Sequence, residues 1–129
     1  MMRLLLDTHT LLWWVEDAPQ LSAKARKAIA APEAECYVSL ASAWELAIKC
    51  QLGKLKLATS VRQYFPSQLA ANGFVQLDIA FRHVARVESL EFHHRDPFDR
   101  LLVAQSLEEK LTLVSADDVF DAYGVKRIW

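Results

Sequence analysis

The chain has 129 residues, 53% hydrophobic and 24% charged, with a formal net charge of −1. That balance fits one globular domain over 1–129 and excludes a strongly basic nucleic-acid binder, so any polyanionic substrate has to be held by a local patch or a metal. Three glycines, four prolines and no internal repeat exclude a low-complexity or repeat architecture, and two cysteines without C-x-x-C spacing point to a reducing compartment without a disulfide framework.

The elements follow in chain order. "MRLLL" (2–6) is a short apolar run, expected to be a buried strand. "TLLWWVED" (10–17) predicts a short helix ending before Pro19, and Ser22 is placed to cap a helix over "AKARKAIAA". "CYVSL" (36–40) is the second strand. "SAWELAIKCQL" (42–52) is an amphipathic helix with Gly53 just past its end. "VRQYFPSQLAANG" (61–73) predicts a helix interrupted at Pro66, and "FVQL" (74–77) a strand. Helices follow over "IAFRHVARVESL" (79–90) and "PFDRLLVAQSLEEK" (97–110). "LTLVSA" (111–116) and "VKRIW" (125–129) are the last strands. Alternation of strand and helix predicts an α/β fold with a mainly parallel sheet flanked by helices. The apolar N-terminus is interrupted by Asp7 and His9 and lacks a small-residue cleavage site, and no segment has the length of a membrane span. A cytoplasmic protein with no membrane partner is the expectation.

The acids fall at one edge of that sheet. Asp7 directly follows the first strand, and Asp117 and Asp118 directly follow "LTLVSA". Ligands of open α/β sheets bind outside the carboxyl ends of the strands. Glu45 lies early in the helix after the second strand, and Asp99 lies in the first turn of the helix that precedes "LTLVSA". Four carboxylates in one crevice repel one another unless a hard divalent cation such as Mg²⁺ or Mn²⁺ is held among them. Such a centre activates water and screens phosphodiester charge. Each acid also has a structural reading. Asp7 suits a strand-end turn. Ser42 and Glu45 match the S-x-x-E capping box, although Ser39 is an equally good cap. Asp96 suits an N-cap with Pro97 at the first helical position, which puts Asp99 where a capping-box acid sits.

"LLLDTHTLLWW", "SAWELAIKCQLGKL", "HHRDPFDRLLVAQS" and "LTLVSADDVFDAYGV" resemble, in order, the conserved blocks of PIN domains, and among them the VapC-type toxins of bacterial toxin–antitoxin pairs. The resemblance implies a three-layer α/β/α fold and a Mg²⁺- or Mn²⁺-dependent endoribonuclease. Its acids map onto Asp7, Glu45, Asp99 and Asp117 as catalytic and metal-holding residues. Thr8, Ser115 and Asp96 would support them, and Asp118 leaves the choice of Asp117 ambiguous. The resemblance further implies an RNA substrate and a cognate antitoxin that covers the site, with an arginine inserted among the acids. With the apolar "TLLWWV" and the "VRQYFPSQLA" region it also implies a homodimer.

His93 and His94 are adjacent and are expected to lie in a solvated loop, with Arg95 and Arg100 near substrate phosphates. Of Trp13 and Trp14, about 100° apart on a helix, one is expected to be buried and the other nearer a partner surface. A haloacid-dehalogenase-like phosphohydrolase also places an Asp after its first strand, but it needs a second acid where this chain has His9. The non-enzyme alternative is a catalytically silent antitoxin-binding module.

Overall fold

The computed structural model describes residues 2–129; of the expected domain over 1–129, Met1 lies outside the described residues. Five strands form one sheet in the order β3-β2-β1-β4-β5, every neighbouring pair parallel. They are β1 (Met2–Leu6), β2 (Ala34–Ser39), β3 (Val75–Leu77), β4 (Thr112–Val114) and β5 (Arg127–Ile128). The helices are α1 (Thr8–Val15), α2 (Ala23–Ala30), α3 (Leu40–Gln51), α4 (Val61–Asn72), α5 (Phe81–Val87) and α6 (Pro97–Glu109), with a 3₁₀ turn over Asp118–Tyr123. The expected α/β/α architecture is therefore present.

β1 shows why the sheet is sandwiched. Side chains alternate faces along a strand. Leu4 and Leu6 enter the core shared with α1 to α4, whereas Leu5 enters the core shared with α6 and Phe120. All three are fully buried, and each contributes roughly 1.5–3 kcal/mol of hydrophobic stabilisation. A strand covered on both faces reads as an unbroken apolar run, which is how "LLL" reads.

Helix ends follow local chemistry. Ser22 Oγ accepts from Ala25 N at 3.0 Å and caps α2. Ser39, not Ser42, caps α3, its Oγ accepting from Ala41 N at 3.0 Å. Asp96 Oδ1 accepts from Phe98 N at 2.8 Å and Asp99 N at 3.2 Å and caps α6, with Pro97 at its start.

The expected break at Pro66 does not occur, and α4 runs through it. Pro66 removes one helical donor, but Ser67 Oγ donates to Gln63 O at 2.6 Å, and Tyr64, Phe65 and Leu69 are buried beneath the helix. Tertiary packing overrides the local preference. Cys36 and Cys50 are free thiols. No helix of the described residues is long and apolar enough to cross a membrane.

Candidate metal centre

The site forms where β1 and β4 end side by side. Asp7 N donates to Val114 O at 3.2 Å, and Thr10 Oγ1 donates to the same carbonyl at 2.9 Å. These two bonds fasten the start of α1 to the end of β4. Asp7 then caps α1, its Oδ1 accepting from Thr10 N at 2.8 Å. Only 7% of Asp7 is exposed. Burial pushes its carboxyl above the usual carboxylate range, against hydrogen bonds from Ser115 and Thr10 that favour the charged form.

Glu45 comes from the second turn of α3 and is also buried. Thr8 Oγ1 lies 2.6 Å from Glu45 Oε1 and 3.0 Å from Ser42 Oγ. Lys49, one turn on, places Nζ 2.8 Å from Glu45 Oε2. Both carboxylate oxygens of Glu45 are thus fixed, one by a hydroxyl and one by an ammonium. Ser42, expected as a possible cap for Glu45's helix, instead joins this network from inside the first turn.

Asp99 occupies the middle. Burial pushes its carboxyl up to about 8, and the negative charges of Asp96, Asp7, Glu45 and Asp117 push in the same direction. All four acids are thus near enough to Asp99 for their charges to oppose its ionisation. The capping-box reading of Asp99 is not realised. Asp96 N donates to His94 Nδ1 at 3.1 Å, and the Asp99 carboxyl faces His94 on its other side.

His94 is the residue that sequence reasoning missed. Its Nε2 lies 2.9 Å from Asp99 Oδ2 and 3.4 Å from Asp117 Oδ2. Because Nδ1 accepts from Asp96 N, the hydrogen belongs on Nε2, the ring atom that lies beside the two acids. The expectation of a solvated loop holds for the exposed His93 alone. The loop is pinned by Tyr123, whose hydroxyl oxygen accepts from His93 N at 3.1 Å and His94 N at 2.8 Å. No spacing rule relates Tyr123 to His94. The Glu45–Lys49 pair, by contrast, was detectable as an i,i+4 spacing.

Asp117 begins the 3₁₀ turn, and its backbone N donates to Ser115 Oγ at 3.1 Å. Asp118 is the first residue of the turn itself, one place beyond the Asp117 cap. Thr8 and Ser115 thus both act as supporting hydroxyls. Asp96 serves as the α6 cap and raises the Asp99 carboxyl through its charge.

Two expectations need correction. Arg100 does not face the site. It is buried, and its guanidinium donates to Glu91 O at 3.0 Å, Val87 O at 3.4 Å and the Tyr123 hydroxyl at 3.2 Å, with Phe92 stacked 4.9 Å away. An i+1 step along α6 from Asp99 turns it away from the acids. Arg95 is exposed on the loop. Trp13 and Trp14 do not divide into one buried and one partner-facing residue. Both are half-buried: Trp14 Nε1 donates to Asn72 Oδ1 at 2.9 Å, and Trp13 packs between His9 and Trp129.

The donor set is hard. The acid oxygens suit a cation of the Mg²⁺ or Mn²⁺ type, and the ligand atoms of His94, Asp99 and Asp117 lie within 4.8 Å of one another.

A parallel α/β/α sheet with acids gathered at the carboxyl ends of its central strands defines a class of α/β domains with an acidic site at that edge. The PIN domain family model matches residues 4–126, and the chain belongs to that family. The haloacid-dehalogenase alternative is thereby set aside. No curated protein matches the chain in sequence. Among solved structures it is similar to VapBC2 from Rickettsia felis bound to a promoter DNA fragment, with a TM-score of 0.72 and 15% identity over 98% of this chain and 97% of that one. DNA-bound VapBC from Salmonella typhimurium gives a TM-score of 0.69 and 15% identity, covering 98% of this chain and 97% of the other. VapBC-1 from nontypeable Haemophilus influenzae gives 0.65 and 16%, covering 98% and 96%. At these identities the likeness concerns the fold.

Proposed function

We propose that the chain is the toxin of a toxin–antitoxin pair, a single PIN domain over 1–129 that hydrolyses RNA phosphodiester bonds with a Mg²⁺ or Mn²⁺ cofactor. The observation that supports this most is the convergence of Asp7, Glu45, Asp99 and Asp117, felt together at the Asp99 carboxyl. That its structural neighbours are VapBC assemblies supports an antitoxin partner. The implied homodimer is kept as part of this reading, and cytoplasmic RNA as its target.

The chain's own residues do the following. Asp7, Glu45, Asp99 and Asp117 would hold the cation through oxygen. When bound, it supplies charge screening for the phosphodiester and lowers the pKa of water. Thr8 and Lys49 keep Glu45 in one orientation. His94 places Nε2 beside the Asp99 and Asp117 carboxylates and flanks both. Arg95, exposed on the adjoining loop, is placed for substrate phosphates.

The test is incubation of purified protein with total RNA, with Mg²⁺, with Mn²⁺ and with EDTA. Attack by water leaves 5′-phosphate and 3′-hydroxyl ends, and EDTA abolishes cutting. Cutting that persists in EDTA, or 2′,3′-cyclic phosphate ends, overturns the reading. Antitoxin binding without any cutting leaves the silent-module alternative in its place.

A further inference from the structure

The motif "KCQLGKL" is only partly used by the acid cluster. Lys49 pairs with Glu45, but Gly53, Lys54 and Leu55 have no part in that contact. At Gly53 the backbone turns left-handed, with φ of 72°, a conformation that side chains other than glycine's resist. Lys54 N then donates to Lys49 O at 2.9 Å and Leu55 N to the same carbonyl at 3.3 Å, while Leu55 packs on the core. The chain is thus folded back so that Lys54 returns to the level of Lys49.

Between this return and α1 lies a cavity of about 410 Å³, which shares Thr8 and Lys49 with the acid cluster. Its α1 wall carries His9, Trp13 and Glu16. The His9 ring is stacked on Trp13 with centroids 5.5 Å apart and planes 25° apart, and Trp13 is backed by Trp129 at 5.7 Å. His9 is exposed, so a supported aromatic stack ends at solvent. Lys54 is exposed at the same cavity.

We infer that this cavity seats one nucleotide of single-stranded RNA beside the scissile phosphate, its base on the His9–Trp13 stack and its phosphate at Lys54. The inference rests on the ribonuclease reading above. Single-stranded nucleic acids are held by aromatic faces for the bases and by cations along the backbone, and both occur here together. Lys49 is held by Glu45, so Lys54 is the cation that this cavity offers an incoming phosphate. A strand approaching four carboxylates needs such a cation, because the chain's net charge supplies none.

The experiment measures anisotropy of a fluorescein-labelled ten-nucleotide single-stranded RNA in EDTA over a range of salt. His9→Ala is expected to weaken binding about tenfold, the loss of one stacked base. Lys54→Ala is expected to reduce the slope of log affinity against log salt by about 0.7, the loss of one phosphate contact. In Mg²⁺ both variants shift the preferred cut positions in a mixed-sequence RNA. Affinities, salt slopes and cut positions equal to wild type overturn the inference. So does an arginine-rich decapeptide that binds more tightly than the RNA and is lost with His9→Ala. Normal cutting with unchanged variants removes the subsite alone. RNA binding that shows the variant effects without cutting in Mg²⁺ or Mn²⁺ removes the ribonuclease reading alone.

Discussion

His94 Nε2 stands 2.9 Å from Asp99 Oδ2 while His94 Nδ1 accepts from Asp96 N. The imidazole therefore bridges the cap of α6 and the central acid of the site, so the start of that helix and the acid cluster are one construction. Asp96 does the capping, which leaves Asp99 for the cluster.

Asp99→Asn separates the two roles. A mere first-turn acid favours its helix, and losing its charge costs about 0.3–1 kcal/mol. An acid crowded by four others is a liability without a cation. The variant is expected to be more stable than wild type in EDTA at pH 8, by on the order of 1–2 kcal/mol, and to lose cleavage. Mg²⁺ is expected to raise the melting temperature of wild type more than that of the variant. Urea unfolding with and without Mg²⁺ checks this; a less stable variant that gains equally from Mg²⁺ and still cuts RNA returns Asp99 to a helix acid.

The pH dependence has a definite sign. The Asp99 carboxyl moves from 3.8 in an unfolded chain to about 8 in the fold, so the folded state binds the extra proton between these values. Metal-free stability contributed by this group is complete below pH 4 and falls as pH rises toward 8. Asp99→Asn is expected to flatten that slope. Unfolding in EDTA from pH 5 to 8.5 measures it, and parallel slopes for the two proteins contradict the placement of Asp99.

Thr8→Val keeps the shape and removes the hydroxyl that meets both Glu45 and Ser42. Buried acceptors left unmet cost about 1–3 kcal/mol. The expected result is a folded, modestly destabilised protein whose cleavage falls well beyond the stability loss. Circular dichroism with a cleavage assay distinguishes this from unfolding, and full activity counts against the role of Thr8.

Arg95 and Arg100 are expected to part company. Arg100→Ala removes donors to Glu91 O and Val87 O and should destabilise the fold by about 1–3 kcal/mol. Arg95→Ala should leave melting unchanged and weaken RNA binding with a shallower salt dependence. The opposite pairing would mean that the loop lies differently around α6.

The acids were legible in the sequence because a parallel sheet places the residues after its strands at one edge, and Asp7 and Asp117 occupy those positions. The mainly parallel sheet flanked by helices followed from the unbroken "LLL" and the alternation of strand with helix. His94 was not legible, since its place depends on Tyr123 holding a loop from a distant turn. Arg100 was misread for a similar reason. Charge type says nothing of the direction in which a helix presents it, and Arg100 lies beside Asp99 in sequence but on another side of α6. Pro66 was read by its local rule, which buried Tyr64, Phe65 and Leu69 outweigh.

The pairing of β1 with β4 carries a consequence for synthesis. Asp7 leaves the ribosome long before Val114, yet its backbone N–H is bound by the Val114 carbonyl. Pairings so distant in sequence form late. A nascent chain therefore carries its first acid without the partners that complete the cluster. The acid cluster is therefore assembled only once β1 has paired with β4, and a chain in which that pairing is open lacks the site.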